Sequence, residues 1–174
     1  CFTRGTLIDT PRGPRPVEAL CVGDEVLTAD EGPRRIRWIG SKRLALAGVT
    51  ENAKLRPIRL RAGSIAPGVP AADILVSAMH RILFDGPEAQ LFVNGRTILT
   101  DTAPDVEYFH LLFDRHQIVT AQNLASESFY PGGVGLTAFE AELREEVLTL
   151  FPELRTLAGA YGRTARDVLK RHEA

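Results

Sequence analysis

A thiol at the first position, Cys1, a serine and a histidine three residues apart in Ser77-Ala78-Met79-His80, and an acid and an imidazole at Asp114 and His116 are the residue types that nucleophilic acyl chemistry needs. A thiol is the best side-chain nucleophile near neutral pH, but with an ordinary pKa of roughly 8.5 it needs a neighbour that takes or shields its proton. His80 can be that neighbour. Ser77 closes the apolar run Ile74-Leu75-Val76, and a turn over Ala78-Met79 brings His80 back beside it, so that both side chains can grip one peptide group from two sides. Taken alone, the pair reads as readily as a structural histidine bonded to its own turn. The leading cysteine gives it chemical meaning. A chain opening on Cys rather than Met is expected to be a fragment, a trimmed chain or a processing product. Cys21, before the turn at Gly23-Asp24, is expected to be a buried packing residue, and both cysteines to be free thiols.

The elements that must position these residues are short strands. Turn chemistry recurs at Arg12-Gly13-Pro14, Gly23-Asp24, Glu31-Gly32-Pro33, Ala66-Pro67-Gly68, Asp85-Gly86-Pro87 and Asn94-Gly95, with Val, Ile, Leu and Thr between. The runs predict strands over 6–9, 25–29, 34–43, 56–61, 74–77, 81–84, 91–93, 97–100, 106–113 and 117–121. Asn94-Gly95 is the best hairpin turn, since both positions tolerate positive φ. The alternation in Arg35-Ile36-Arg37-Trp38 turns Ile36 and Trp38 inward and the arginines to water.

After Pro131-Gly132-Gly133 the pattern becomes helical. Thr137 and Glu140 form a plausible capping box, and Phe139, Leu143, Val147 and Leu150 recur at helical spacing up to Phe151-Pro152. Further short helices are expected over 152–157 and 164–171. The chain thus divides into a β domain, 1–131, and a helical extension, 132–174, packed on it.

Composition narrows the function. With 174 residues one core suffices, and 21 Lys plus Arg against 22 Asp plus Glu give a net charge of -1, without whole-molecule attraction to nucleic acid or an anionic membrane. The basic stretch of Arg34, Arg35, Arg37, Lys42, Arg43, Lys54, Arg56, Arg59 and Arg61 lacks interleaved exposed aromatics and reads as a solvated strand face. No run approaches the roughly 20 apolar residues of a membrane span, and the opening residues lack the apolar core of a signal peptide.

In order along the chain, Cys1-Phe2-Thr3-Arg4-Gly5-Thr6 with Pro16-Val17-Glu18-Ala19-Leu20 and Gly23-Asp24-Glu25-Val26-Leu27-Thr28, then Leu75-Val76-Ser77-Ala78-Met79-His80-Arg81-Ile82-Leu83, then 107–116 with 119–124 resemble the motifs of the Hint (Hedgehog/intein) autoprocessing domains. Residues 125–132 and the tail around 150–154 resemble the bacterial Hint_2 subgroup. The resemblance implies an all-β, horseshoe-like fold. It also implies that Cys1 attacks the carbonyl of the residue before it, giving a thioester by an N-to-S acyl shift. His80 then protonates the departing nitrogen, and Ser77 stands for the family's usual Thr in holding the scissile peptide. The substrate is the covalently attached upstream segment, released by water or another nucleophile, with no cofactor. The family's company suggests a secreted or cell-surface bacterial parent protein, though the residues themselves assign no compartment.

Departures qualify this. Inteins end in His-Asn, and the corresponding stretch here is Ala125-Ser126-Glu127-Ser128, so cleavage without full splicing is expected; Asn123 is taken as structural. His110 falls where inteins carry a catalytic Asp, and His110 or Asp114 is a candidate to activate the second nucleophile. His116 matches a histidine of the family pattern and either assists or bonds to backbone. Alternatives are an inert Hint-fold binding or regulatory module, a zinc site of Cys1, His80 and His110 or His116, and a Cys-His protease acting in trans.

Overall fold

The computed structural model describes residues 1–46, 56–77, 80–84, 90–93, 103–132, 141–157 and 159–167. Thirteen strands are described: β1 (Phe2–Thr3), β2 (Leu7–Thr10), β3 (Gly13–Pro16), β4 (Glu25–Thr28), β5 (Gly32–Arg35), β6 (Trp38–Ala45), β7 (Ile58–Leu60), β8 (Ile74–Val76), β9 (Arg81–Phe84), β10 (Gln90–Val93), β11 (Asp105–Leu112), β12 (Ile118–Ala121) and β13 (Leu124–Glu127). Among the described residues one α-helix, α1 (Ala141–Leu150), follows them, then a 3-10 turn at Pro152–Arg155. The first sheet runs β6-β11-β1-β8-β7; the second runs β10-β9-β13-β12-β2-β3, with β4 and β5 attached through β12. The all-β expectation therefore holds.

Three short connections carry the chain from the first sheet to the second: 4–6 after β1, 77–80 after β8, and 113–117 after β11. Every residue singled out for chemistry stands on one of these crossings, or within or directly beside the strand feeding it. Phe2, Ile8, Val26, Ile36, Val76, Ile82, Phe109, Leu111, Phe113 and Val119 contribute to the main core, all buried.

The stretch expected as one strand over 34–43 is two, broken at Ile36 and Arg37. Ile36 and Trp38 do point inward, but into different cores. Ile36 joins the main one, while Trp38 packs with Leu112, Val147, Leu148, Phe151, Leu154 and Tyr161. This second core lies under α1, where Trp38 Nε1 donates to Glu146 (2.8 Å) and the Tyr161 hydroxyl donates to the Phe113 carbonyl (2.5 Å).

Other expectations shift. Cys21 is exposed rather than buried; its N–H donates to the Asp24 carboxylate at 2.9 Å, so a turn role displaces a packing role. The final helix is not formed over 164–167, and 168–171 lie outside the described residues, as do Thr137, Phe139, Glu140, Ala78-Met79, the Asn94-Gly95 turn and the strand over 97–100. Arginines of the basic stretch meet acids, in Arg34–Glu31, Arg37–Asp114, Arg43–Asp105 and Arg59–Asp73. Among the described residues no helix is long and apolar enough to cross a membrane.

Candidate active site at the head of the first strand

The strand β1 is only two residues long, yet it is central to its sheet, pairing β11 on one side and β8 on the other. Phe2 stands opposite Phe109 and opposite Val76. Extending both antiparallel registers by one residue sets Cys1 opposite His110 on one side and Ser77 on the other, and residues directly opposite share a face of the sheet. The Ser77 N–H donates to the Cys1 carbonyl at 3.1 Å. Side chains pin the strand further: Thr3 Oγ1 donates to the Leu75 carbonyl at 3.0 Å, and Arg4 pairs with Glu107 at 2.6 Å.

His80 reaches the same place by a turn, its N–H donating to the Ser77 carbonyl (3.0 Å). The imidazole is buried edge-on against Phe2, with ring centroids 4.8 Å apart. The amino group of Cys1 is thus held between two acceptors, Ser77 Oγ at 3.3 Å and His80 Nδ1 at 2.8 Å. The thiol faces the other way: Cys1 Sγ lies 3.1 Å from His110 Nδ1 and 3.4 Å from His110 Nε2. Phe129 meets the His110 ring edge to face at 5.4 Å, and Leu46, Val106 and Tyr108 form the apolar bed against which Cys1 packs.

Burial governs the charges. It lowers the pKa of the Cys1 amino group from 8.0 to about 5, opposed by the negative charge of Glu127. His80 is driven well below 6.5, first by burial, then by the positive Cys1 amino group and by His110. His110 falls to about 3 through burial and the same amino charge. At neutral pH all three groups are therefore uncharged. His80 Nδ1 is the ring atom that faces the amine, and Nε2 is a buried atom with no hydrogen-bond partner among the described residues.

Four of the six expected residues thus converge: Cys1, Ser77, His80 and His110. The other two do not meet the thiol. Asp114 is exposed and pairs with Arg37 at 2.5 Å. His116 is buried, accepting the Ala165 N–H at Nδ1 (2.9 Å), while its Nε2–H faces the Ser128 carbonyl (3.2 Å) and Glu127 (3.3 Å). Asn123 lies in the two-residue turn between β12 and β13, with Gln122 and Asn123 at φ 49° and 65°. Among the described residues no group of three or more His, Cys, Asp or Glu side chains is placed to hold a metal ion. Sequence reasoning overlooked Glu127, whose only signal is a carboxylate closing the strand Leu124-Ala125-Ser126-Glu127.

A cysteine-headed strand threaded between a Ser-x-x-His strand end and a histidine-bearing strand, in a mostly β domain of two sheets, is the arrangement of a self-processing domain. The Hint domain family matches residues 1–133, and the chain belongs to it. Among solved structures it is similar to the MchDnaB-1 intein, at 15% identity over 74% of this chain and 99% of that one, with a TM-score of 0.45. It is also similar to the bacterial intein-like domain from Clostridium thermocellum, at 14% identity over 73% and 96%, TM-score 0.46. A third is the Msm DnaB1 intein splicing domain bound with zinc, at 14% identity over 72% and 98%, TM-score 0.42. No curated protein matches the sequence.

Proposed function

We propose that this chain cleaves itself from a segment preceding Cys1, once, through a thioester and without full splicing. The observation that carries the reading is the placement of the two reacting atoms of Cys1. Its nitrogen is gripped by Ser77 and His80, and its sulfur is set against His110. In a precursor that nitrogen belongs to the scissile peptide, so the residues now holding an amine hold the leaving group of the reaction.

The steps balance as follows. His110 takes the thiol proton, and Sγ adds to the preceding carbonyl carbon. The tetrahedral adduct expels nitrogen, which takes a proton from Nδ1 of His80, itself first protonated from solvent to the imidazolium; the C–N bond is replaced by C–S. Water or another nucleophile then attacks the thioester, releasing the upstream segment and returning the thiol. The proton left on His110 and the one lost from His80 exchange through solvent. Before cleavage the amino charge that helps to depress both imidazoles is absent, so both bind protons more readily in the precursor than in the product. The division into a β domain, 1–131, and an extension, 132–174, fits this reading, since all four converging residues lie in the first part.

The test is intact mass over time for a chain with a short segment ahead of Cys1, with and without dithiothreitol or hydroxylamine. The expected result is release of the segment, accelerated by thiol, abolished in Cys1→Ala and strongly slowed in His80→Ala. A folded precursor that stays whole under all these conditions assigns the domain instead to an inert scaffold or regulatory module.

A further inference from the structure

We propose that Glu127 is a positioning residue of this site, clamping the peptide that joins His80 to Arg81, and that the tail of the chain braces it through His116. The proposal rests on the self-cleavage reading and assigns the support of its proton donor.

Ser126 stands opposite Ile82 where β13 pairs β9, so the next pair outward sets Glu127 against Arg81. There the ladder ends, because the chain turns through His80 toward the first sheet. The Arg81 N–H donates to Glu127 Oε1 at 3.3 Å. A carboxylate bonded to the amide immediately after His80 fixes the backbone from which the imidazole projects. The carboxylate is enclosed, with only 15% of its side chain exposed. Arg81 Nη1 approaches it at 3.5 Å from β9, and His116 Nε2 at 3.3 Å from the β11–β12 connection.

His116 in turn has its tautomer set from outside the β sheets. The Ala165 N–H donates to Nδ1, which obliges Nε2 to carry the proton and point toward Ser128 and Glu127. Ala165 is held by its neighbour Arg166, whose guanidinium grips both oxygens of Asp30 at 2.6 and 2.7 Å. Tyr130 packs edge-on against the His116 ring at 5.4 Å and donates its hydroxyl to the Gly162 carbonyl at 2.8 Å. Residues 162–166 are thereby connected, through one imidazole and one carboxylate, to the peptide carrying the proton donor.

Glu127 also acts by its charge. Among the described residues His80 after β8 touches the Cys1 amine, His110 on β11 lies against the thiol of the same residue, and the charge of Glu127 on β13 opposes the effect of burial on that amine. A proton moving from His80 to the departing nitrogen keeps positive charge in a buried place, which a fixed carboxylate nearby stabilises.

The test compares Glu127→Gln, which keeps the acceptor oxygen and removes the charge, with Glu127→Asp, which keeps the charge on a shorter arm. In the chain beginning at Cys1, the Cys1 ¹³Cα shift followed against pH reports the amine. The expected midpoint is about 5 in the wild type, lower in Glu127→Gln and nearer the wild type in Glu127→Asp. In the precursor, cleavage is expected to slow about tenfold or more in Glu127→Gln, as for a proton donor deprived of its neighbouring negative charge, with partial rescue by Asp. An unmoved midpoint in Glu127→Gln, or equal losses in both variants, overturns the proposal. Should Glu127→Gln not fold, Glu127→Asp still decides, since the shorter arm withdraws the carboxylate from the Arg81 N–H: cleavage slower than the wild type with the midpoint kept is expected, and an unslowed rate overturns the proposal. A wild-type precursor that never cleaves removes the self-cleavage reading, while the titration still decides whether Glu127 governs the charge of this amine.

Discussion

In a Cys1→Ala chain, where no thiol can remove the acetyl group, acetylating the amino group at position 1 removes one titration and should flatten the pH dependence of stability. The sign follows from the direction of the shift: the folded-state pKa, about 5, lies below the unfolded value, 8.0. Between these two values the unfolded chain binds a proton that the folded one does not, so stability rises with pH across that window. Below the lower value the full penalty of burying an ammonium applies; above the upper value it has vanished. From about pH 5.5 to about pH 8 the linkage amounts to roughly 3 kcal/mol, taking about 1.4 kcal/mol per pKa unit and the shift from 8.0 to about 5. Buried His80 and His110, both depressed, add stability in the same direction as pH rises through their unfolded range, near 6.5. They titrate in both chains and largely cancel in the comparison. Urea midpoints for the free and acetylated chains at the two pH values measure the difference directly. A free chain whose stability changes with pH no more than the acetylated one refutes the buried, neutral amine and the electrostatic picture built on it.

Ser77→Ala should slow precursor cleavage by about tenfold, the worth of one hydrogen bond of about 1 kcal/mol or slightly more, while Ser77→Thr preserves it; single-turnover mass spectrometry reads both. Asp114→Asn should leave the cleavage rate unchanged and alter stability by less than about 0.5 kcal/mol, because the Arg37–Asp114 pair is exposed; a large loss of rate would return Asp114 to the site. Gly40→Ala should destabilise the fold by about 1–3 kcal/mol in urea titrations, because a Cβ there falls within the Trp38 ring, which is locked in the second core. Since Gly40 also stands opposite His110, that variant should slow cleavage as well.

The sequence made the catalytic types legible more readily than their geometry. Cys1, Ser77 and His80 follow from residue chemistry and spacing, and the turn that joins the latter two is closed by the bond from His80 N–H to Ser77 carbonyl. His110 is different. Nothing local marks it, and it meets the thiol only because β1 and β11 pair with Phe2 opposite Phe109. A two-residue strand has too little alternation to announce itself, so the element that follows Cys1 is the hardest to read. The strand β3 was hidden for another reason: Pro14 and Pro16 argue against a strand, yet β3 lies at the edge of its sheet, where a missing N–H costs little. The break at Ile36 and Arg37 shows in the structure as a change of sheet, and continuous alternation cannot reveal which of two cores each inward residue enters. Glu127 was invisible because its partners come from β9 and the β11–β12 connection, and only the paired sheets bring them to one carboxylate.

The most direct measurement of the central claim is a carbon NMR time course on a precursor carrying a ¹³C label at the carbonyl of the residue before Cys1. The account predicts that this carbonyl moves from an amide to a thioester resonance before the upstream segment is released, and that Cys1→Ala stays an amide throughout. Release of the segment from Cys1→Ala, or a labelled carbonyl that remains an amide in the folded wild-type chain, contradicts it.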